Sequence, residues 1–258
     1  MFDNGQGRSS TLLILCLAIW LENARSISIR NGPSELYGRN IEDHIMRLIG
    51  SFVSPYVRRV AVSLNALGIP FKSETPSVFR DPEVVRRYNP LVRIPALILD
   101  DGEELVDSYA ILDAIDETID PDRRLTPASG GDRRHVMKIT AIAVGSMDKA
   151  VSAYYEGVHH PKEKIHQPWI DRNEMQLLGG LGYLDKFAEA AGDTGWLGGS
   201  QHFSQGDISS AVAYSFAKLV RPKLGIEQKV PYLARFAGRC EAMDIFTAAP
   251  IPEYKVNS

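Results

Sequence analysis

The sequence predicts a small α/β domain followed by an all-helical domain. Three observations carry that expectation. Between Met46 and Ser108, short apolar runs alternate with a strongly patterned helix and then with a hairpin signal. Residues 119–131 read IDPDRRLTPASGG, the proline, glycine and charge mixture of a linker. Beyond Asp132, apolar residues recur at helical spacing and no strand pattern is sustained.

The first domain can be built element by element. Arg47-Leu48-Ile49-Gly50 is short and apolar and suits a buried strand opening at Met46. Ser54-Pro55 then pairs a favoured N-cap with proline at the first helical position. Val57, Val60, Ala61 and Leu64 share one face of a helix expected to reach Leu67, where Gly68 and Pro70 stop it. Phe71 to Thr75 is a second strand. Asp81-Pro82 starts a short helix to about Tyr88 with Asp81 as cap, and Asn89-Pro90 breaks the chain. Pro95 to Leu99 is a strand, Asp100-Asp101-Gly102 a hairpin turn, and Glu104 to Val106 the return strand. Asp107-Ser108 opens a helix to about Thr118 with Ile111, Leu112 and Ile115 facing inward. A right-handed βαβ crossover followed by a hairpin gives a four-stranded mixed sheet.

The second half reads as helices over Asp132–Glu156, Ile165–Ala190, Asp207–Leu219 and Val230–Met243. Ser204-x-x-Asp207 has the spacing of a capping box, in which Asp207 reaches back to the Ser204 N–H and Ser204 to the Asp207 N–H.

Composition excludes several functions. Formal net charge is −3 and acids and bases are interleaved, so there is no basic stripe for nucleic acid. The pairs Arg58-Arg59, Arg86-Arg87, Arg123-Arg124 and Arg133-Arg134 are scattered and read as solvated charges. The two cysteines, Cys16 and Cys240, match neither a zinc nor a CxxC pattern, which favours a reducing, cytoplasmic setting. His159-His160 and His166 lack further ligands at metal spacing and read as exposed loop histidines. Thr11 to Leu21, TLLILCLAIWL, falls short of the roughly 20 residues a membrane span needs. Residues 1–45 carry two readings: an upstream extension, with translation starting at Met46, or a signal or anchor whose cleavage pattern is poor.

Three features lie at one end of the expected sheet. Ser54 sits at a helix N-terminus, where free N–H groups and the dipole favour an anion. A free thiol titrates near about 8.5, so lowering it by about one to two units makes thiolate the main species near neutral pH. Ile94-Pro95 opens a strand; a trans bond is the commoner form, but a cis bond would turn the Ile94 backbone outward to pair with an extended peptide. Asp107-Ser108 marks a second helix start, able to take a carboxylate at Ser108 and an ammonium group at Asp107. Each has a plain structural explanation as a cap or an edge proline. Together they meet the needs of a γ-glutamyl-cysteinyl-glycine tripeptide.

On the SPYVRRV, RIPAL and LVDSYAIL runs, residues 46–243 resemble a cytosolic glutathione transferase of the bacterial type with a serine-containing N-terminal motif. The resemblance implies a thioredoxin-like α/β glutathione-binding domain over 46–120, a linker at 121–131, an all-α domain over 132–247 and a tail at 248–258. It implies Ser54 against the glutathione sulfur, Ile94 with cis Pro95 on the cysteinyl unit, Asp107 and Ser108 on the γ-glutamyl end, and Arg93 near the glycyl carboxylate. It also implies a homodimer, glutathione as co-substrate with a small hydrophobic electrophile, no metal or redox cofactor, and no membrane association unless residues 1–45 act as an anchor. No cysteine stands at Ser54, which disfavours chemistry through a mixed disulfide. Phe52, Tyr154, Tyr155 and Trp169 are candidates for the electrophile pocket, but aromatics at helical spacing are more often core. A non-catalytic glutathione-binding or scaffold protein of the same fold remains the alternative.

Overall fold

A computed structural model of the protein describes residues 45–198 and 202–253. Its four strands, β1 (Met46–Ile49), β2 (Phe71–Glu74), β3 (Ala96–Ile98) and β4 (Glu104–Val106), form one sheet in the order β2-β1-β3-β4. β1 runs parallel to β2, with Met46 opposite Phe71, and antiparallel to β3, with Leu48 opposite Leu97. β3 and β4 are the hairpin, with Ala96 opposite Val106. The mixed topology follows from the connections: helix α1 (Pro55–Leu67) is long enough for a parallel crossover, and a tight turn at 99–103 permits only an antiparallel return.

Helix α1 starts and stops where its end signals place it. Pro55 is the first residue, and Gly68 closes the helix in the left-handed conformation at φ 71°. Val57, Val60, Ala61 and Leu64 are fully buried, but so are Val62 and Ser63 on other faces. α1 is enclosed because the sheet packs on one side and helix α6 (Gln205–Val220) on the other. α2 (Pro82–Arg86) ends two residues early, and Asp81 does not cap it; its carboxylate instead accepts from the Ser77 N–H at 2.9 Å. α3 (Ser108–Thr118) buries Ile111, Leu112 and Ile115.

The helical layer is built on the antiparallel pair α4 (Gly130–His159) and α5 (Gln167–Ala191), with α6 packed against α4. α4 is longer than its periodicity suggested. Its last turn carries His159, so that histidine is helical and not in a loop, though exposed. The helix expected over 230–243 is α8 (Pro231–Glu241), flanked by two four-residue helices the sequence did not predict, α7 (Ile226–Lys229) before it and α9 (Asp244–Thr247) after it. Pro231 is the first residue of α8, where its missing N–H costs no intrahelical bond. Ser204 and Asp207 form the capping box; Asp207 Oδ2 accepts from the Ser204 N–H at 2.8 Å, and Oδ1 accepts from the Leu197 N–H at 2.8 Å.

Arg58 and Arg59 contradict the solvated reading, being 2% and 1% exposed. Arg58 makes two bonds of 2.6 Å to Glu241 and one of 2.9 Å to the Ala249 carbonyl. Arg59 donates to Ser209 at 3.2 Å and to Ser108 at 3.0 Å. Arg58 therefore finds its carboxylate in the helical layer, and Arg59 bridges Ser108 of its own α/β layer to Ser209 of the helical one. Ser63, near both the Arg59 carbonyl at 2.7 Å and Gln205 Oε1 at 2.9 Å, extends this polar contact. Arg86 and Arg87 are exposed as expected, whereas Arg123 reaches the Leu67 carbonyl at 2.8 Å.

Residues 1–44, with the apolar run and Cys16, lie outside the described residues. Among the described residues, no helix is long and apolar enough to cross a membrane.

Candidate functional site

The loop between β1 and α1 sets the first part of the site. Ser54 is extended, φ −68° and ψ 123°, and half-buried, and its Oγ accepts the Val57 N–H at 3.5 Å. The capping reading therefore holds. It does not exhaust the residue: a hydroxyl that accepts at the cap keeps its own proton for a second partner. The α1 first turn contributes N–H groups with no intrahelical acceptor, and Pro55 lacks one altogether.

The second part is the loop before β3. The Ile94–Pro95 bond is cis. The ladder of β3 begins only at Ala96, and the Ile94 backbone has no hydrogen-bond partner among the described residues. It presents one strand-like edge to an incoming chain. Asn89, buried, holds this loop at both ends: its Nδ2 donates to the Arg93 carbonyl at 3.0 Å and its Oδ1 accepts from the Leu91 N–H at 3.0 Å. Between them Val92 sits at φ 52°, a genuine outlier for a β-branched residue. Arg93 is exposed.

Gly50 joins the two loops. At φ 128°, a Cβ built there would lie 2.6 Å from Val57 Cγ2 and 2.9 Å from Ile94 Cβ. Only glycine allows the end of β1 to pass between the Ser54 helix and the Ile94 loop.

The third part is the start of α3. Asp107 lies at φ 69°, also strained for a residue with a Cβ, and its Oδ1 accepts the Tyr109 N–H at 2.8 Å. Its side chain is exposed, and Ser108 beside it is buried. The Ser108 hydroxyl accepts from Arg59, so its own proton is directed elsewhere.

The helical layer closes one flank. The Tyr56 hydroxyl donates to Asp148 on α4. Burial, and then that bond, push the Tyr56 phenol well above its ordinary value, so it stays protonated. Further along α4, Tyr155 and His159 contact Phe79 from the loop after β2, with ring centroids 5.6 Å and 4.2 Å from Phe79. Of the aromatics named from sequence, Tyr154 is 6% exposed and belongs to the core, Phe52 is partly buried, and Tyr155 and Trp169 are 42% and 44% exposed. The last two are therefore not core residues. His160 pairs with Glu156 at 3.1 Å, and no group of three or more metal-ligating side chains occurs among the described residues.

Comparison with known proteins places this geometry. Residues 48–123 match the model of the glutathione S-transferase N-terminal domain. A glutathione S-transferase of Methylobacillus flagellatus, solved with glutathione bound, is 30% identical, superposes with a TM-score of 0.72, and is covered over 98% of its length by 79% of this chain. The chain belongs to the glutathione S-transferase family. Glutathione S-transferase U3 of Arabidopsis thaliana is 33% identical over 54% of this chain and 67% of its own length. The uncharacterised glutathione S-transferase-like protein YibF of Escherichia coli is 32% identical, and the match spans 61% of its length. The thioredoxin-like sheet followed by a helical layer is thus the fold of that family, as the sequence resemblance implied.

Gly50, Asn89, Arg59 and the Tyr56–Asp148 contact were not singled out from sequence. Gly50 and Asn89 had local signals, a glycine ending a strand and an asparagine before proline. Arg59 and Tyr56 had none, because their partners lie 49 to 150 residues away.

Proposed function

We propose that this protein is a glutathione transferase that stabilises the glutathione thiolate at Ser54 and directs it onto a small hydrophobic electrophile. Glutathione lies extended along the Ile94 backbone, with its γ-glutamyl end at Asp107 and Ser108 and its glycyl end toward Arg93. The observation that supports the reading is the Ser54 hydroxyl, which accepts at the α1 cap and still has a proton to donate, on a helix whose first turn and the unpaired Ile94 backbone both close on Gly50. Binding at the helix mouth lowers the thiol, and its proton leaves to solvent. The Ser54 O–H then donates a charge-assisted bond to sulfur. The thiolate forms the carbon–sulfur bond as the electrophile's leaving group departs, or as its double bond takes up the electron pair. No base, metal or redox cofactor enters these steps. The electrophile meets the flank formed by Tyr56, Asp148 and Tyr155.

Family membership also supports a homodimer, and the cysteine usage supports a cytoplasmic setting. A second reading, glutathione binding without turnover, draws on the fact that Ser54 is already a complete N-cap and would be kept for folding alone.

Retention on immobilised glutathione and turnover of an activated aryl halide separate the two. Ser54→Ala should lower kcat about 100-fold with little change in glutathione affinity, as expected for a lost donor to a reacting anion. Unchanged conjugation at saturating substrates rejects the assignment of Ser54, and binding by the native protein without turnover selects the second reading.

A further inference from the structure

Arg58 and Arg59 are neighbours on α1, both buried, yet only one is neutralised. Arg58 has the Glu241 carboxylate at 2.6 Å. Arg59 has hydroxyls and a ring: Ser209 at 3.2 Å, Ser108 at 3.0 Å, and Tyr109, whose centroid lies 4.8 Å from Cζ. No carboxylate lies within ion-pairing distance of it among the described residues. A buried guanidinium in that state is poorly compensated. Burial lowers it to about 10, with Tyr109 and Asp107 pulling the other way, so it remains charged at neutral pH.

The hydrogen-bond directions show where compensation enters. The Arg59 guanidinium donates to Ser108 Oγ, and that hydroxyl can then donate only to another acceptor. Ser108 is also the first residue of α3, whose free N–H groups favour negative charge. Asp107 compensates only at a distance: it makes no ion pair with Arg59, its side chain being exposed and its Oδ1 accepting the Tyr109 N–H.

We propose that Arg59 is a positioning residue that places a buried positive charge behind Ser108 and thereby selects ligands bearing a carboxylate there, namely the α-carboxylate of the γ-glutamyl group. This rests on the glutathione-binding reading given above. It adds that recognition of the γ-glutamyl end draws on a residue of α1 that the ligand does not touch. The same side chain reaches Ser209 of α6, so the charge is held in place by the helical layer.

The test compares three tripeptides by calorimetric titration of the full chain: glutathione, 4-aminobutyryl-cysteinyl-glycine, which lacks only the α-carboxylate, and glutaryl-cysteinyl-glycine, which lacks only the α-ammonium group. The native protein should bind the first analogue about 100-fold more weakly than glutathione, the order expected for losing a charge-assisted hydrogen bond at Ser108 backed by the Arg59 charge. In Arg59→Met that ratio should fall below about threefold, while the ratio for the glutaryl analogue is unchanged. A purely structural Arg59 would weaken all three ligands by one common factor, and that result overturns the proposal. Arg59→Lys, which keeps the charge, should retain most of the carboxylate preference; its loss there also counts against the proposal. Should Arg59→Met fail to fold by circular dichroism, the native ratio and the lysine variant decide. A native protein that binds glutathione but ignores the missing carboxylate overturns this proposal alone. A native protein that binds none of the three overturns the glutathione reading and this inference with it.

Discussion

Gly50 and Ile94 pass so close that a Cβ on Gly50 would sit 2.9 Å from the Ile94 Cβ. Strand β1, helix α1 and the cis-proline loop meet at this point, so Gly50→Ala should disturb Ser54 and Ile94 together. The expected cost is about 2–4 kcal/mol from overpacking and the positive φ. Glutathione affinity should fall with it. Denaturant unfolding and calorimetry check both, and a variant with native stability and native affinity contradicts the packing argument.

Asn89 holds the loop in which Val92 keeps φ 52°. Asn89→Ala removes a buried donor and acceptor at once and leaves the Arg93 carbonyl and Leu91 N–H to find other partners. It should cost about 2 kcal/mol and weaken glutathione binding several-fold, because the Ile94 backbone is no longer held in place. Affinity unchanged in a destabilised variant would separate the loop from the ligand.

Arg58 and Glu241 tie α1 to the end of α8. Glu241→Gln leaves Arg58 buried with weaker acceptors and should cost about 3 kcal/mol. Arg58→Met with Glu241→Gln should cost clearly less than the sum of the single changes, since the uncompensated charge is gone. Urea midpoints of the four proteins give the coupling, and strict additivity would refute it.

Asp207 links α6 to the Leu197 segment. Burial raises its carboxyl above the ordinary 3.8, although the Ser204 and Leu197 hydrogen bonds pull it down. A raised value means the folded protein holds this proton more tightly than the unfolded chain does. The stabilisation is complete below the unfolded value and is lost as pH rises through the folded one. Asp207→Asn cannot titrate, so native stability relative to that variant should decline as pH rises above the ordinary carboxyl value of 3.8 and through the raised folded one. A difference that is flat or grows with pH contradicts this. Asp207→Ala, which abandons the Ser204 and Leu197 N–H groups, should cost about 2–4 kcal/mol at neutral pH.

Local physics was legible wherever a few adjacent residues decide the outcome. Ser54-Pro55 and Gly68 set both ends of α1, the alternation around Asp101-Gly102 gave the hairpin, and Ser204-x-x-Asp207 gave the capping box. Ser54, Ile94-Pro95 and Asp107-Ser108 were legible as a helix cap, a proline before a strand and a second helix start. The helices Ile226–Lys229 and Asp244–Thr247 were missed because four residues are too few to carry an apolar period. Asp81 was misread because a cap requires a side-chain rotamer as well as a residue type.

By itself the sequence determined the order of the main elements and the family, because caps, turns and periodicity act over a few residues. Only the tertiary structure decided what Arg58, Arg59 and Tyr56 do. Their hydrogen-bond partners are contributed by chain 49 to 191 residues away, and whether a charged side chain is solvated or buried depends on what packs over it. Spacing cannot specify such a contact; the packing of α1 against α3 and the helical layer does.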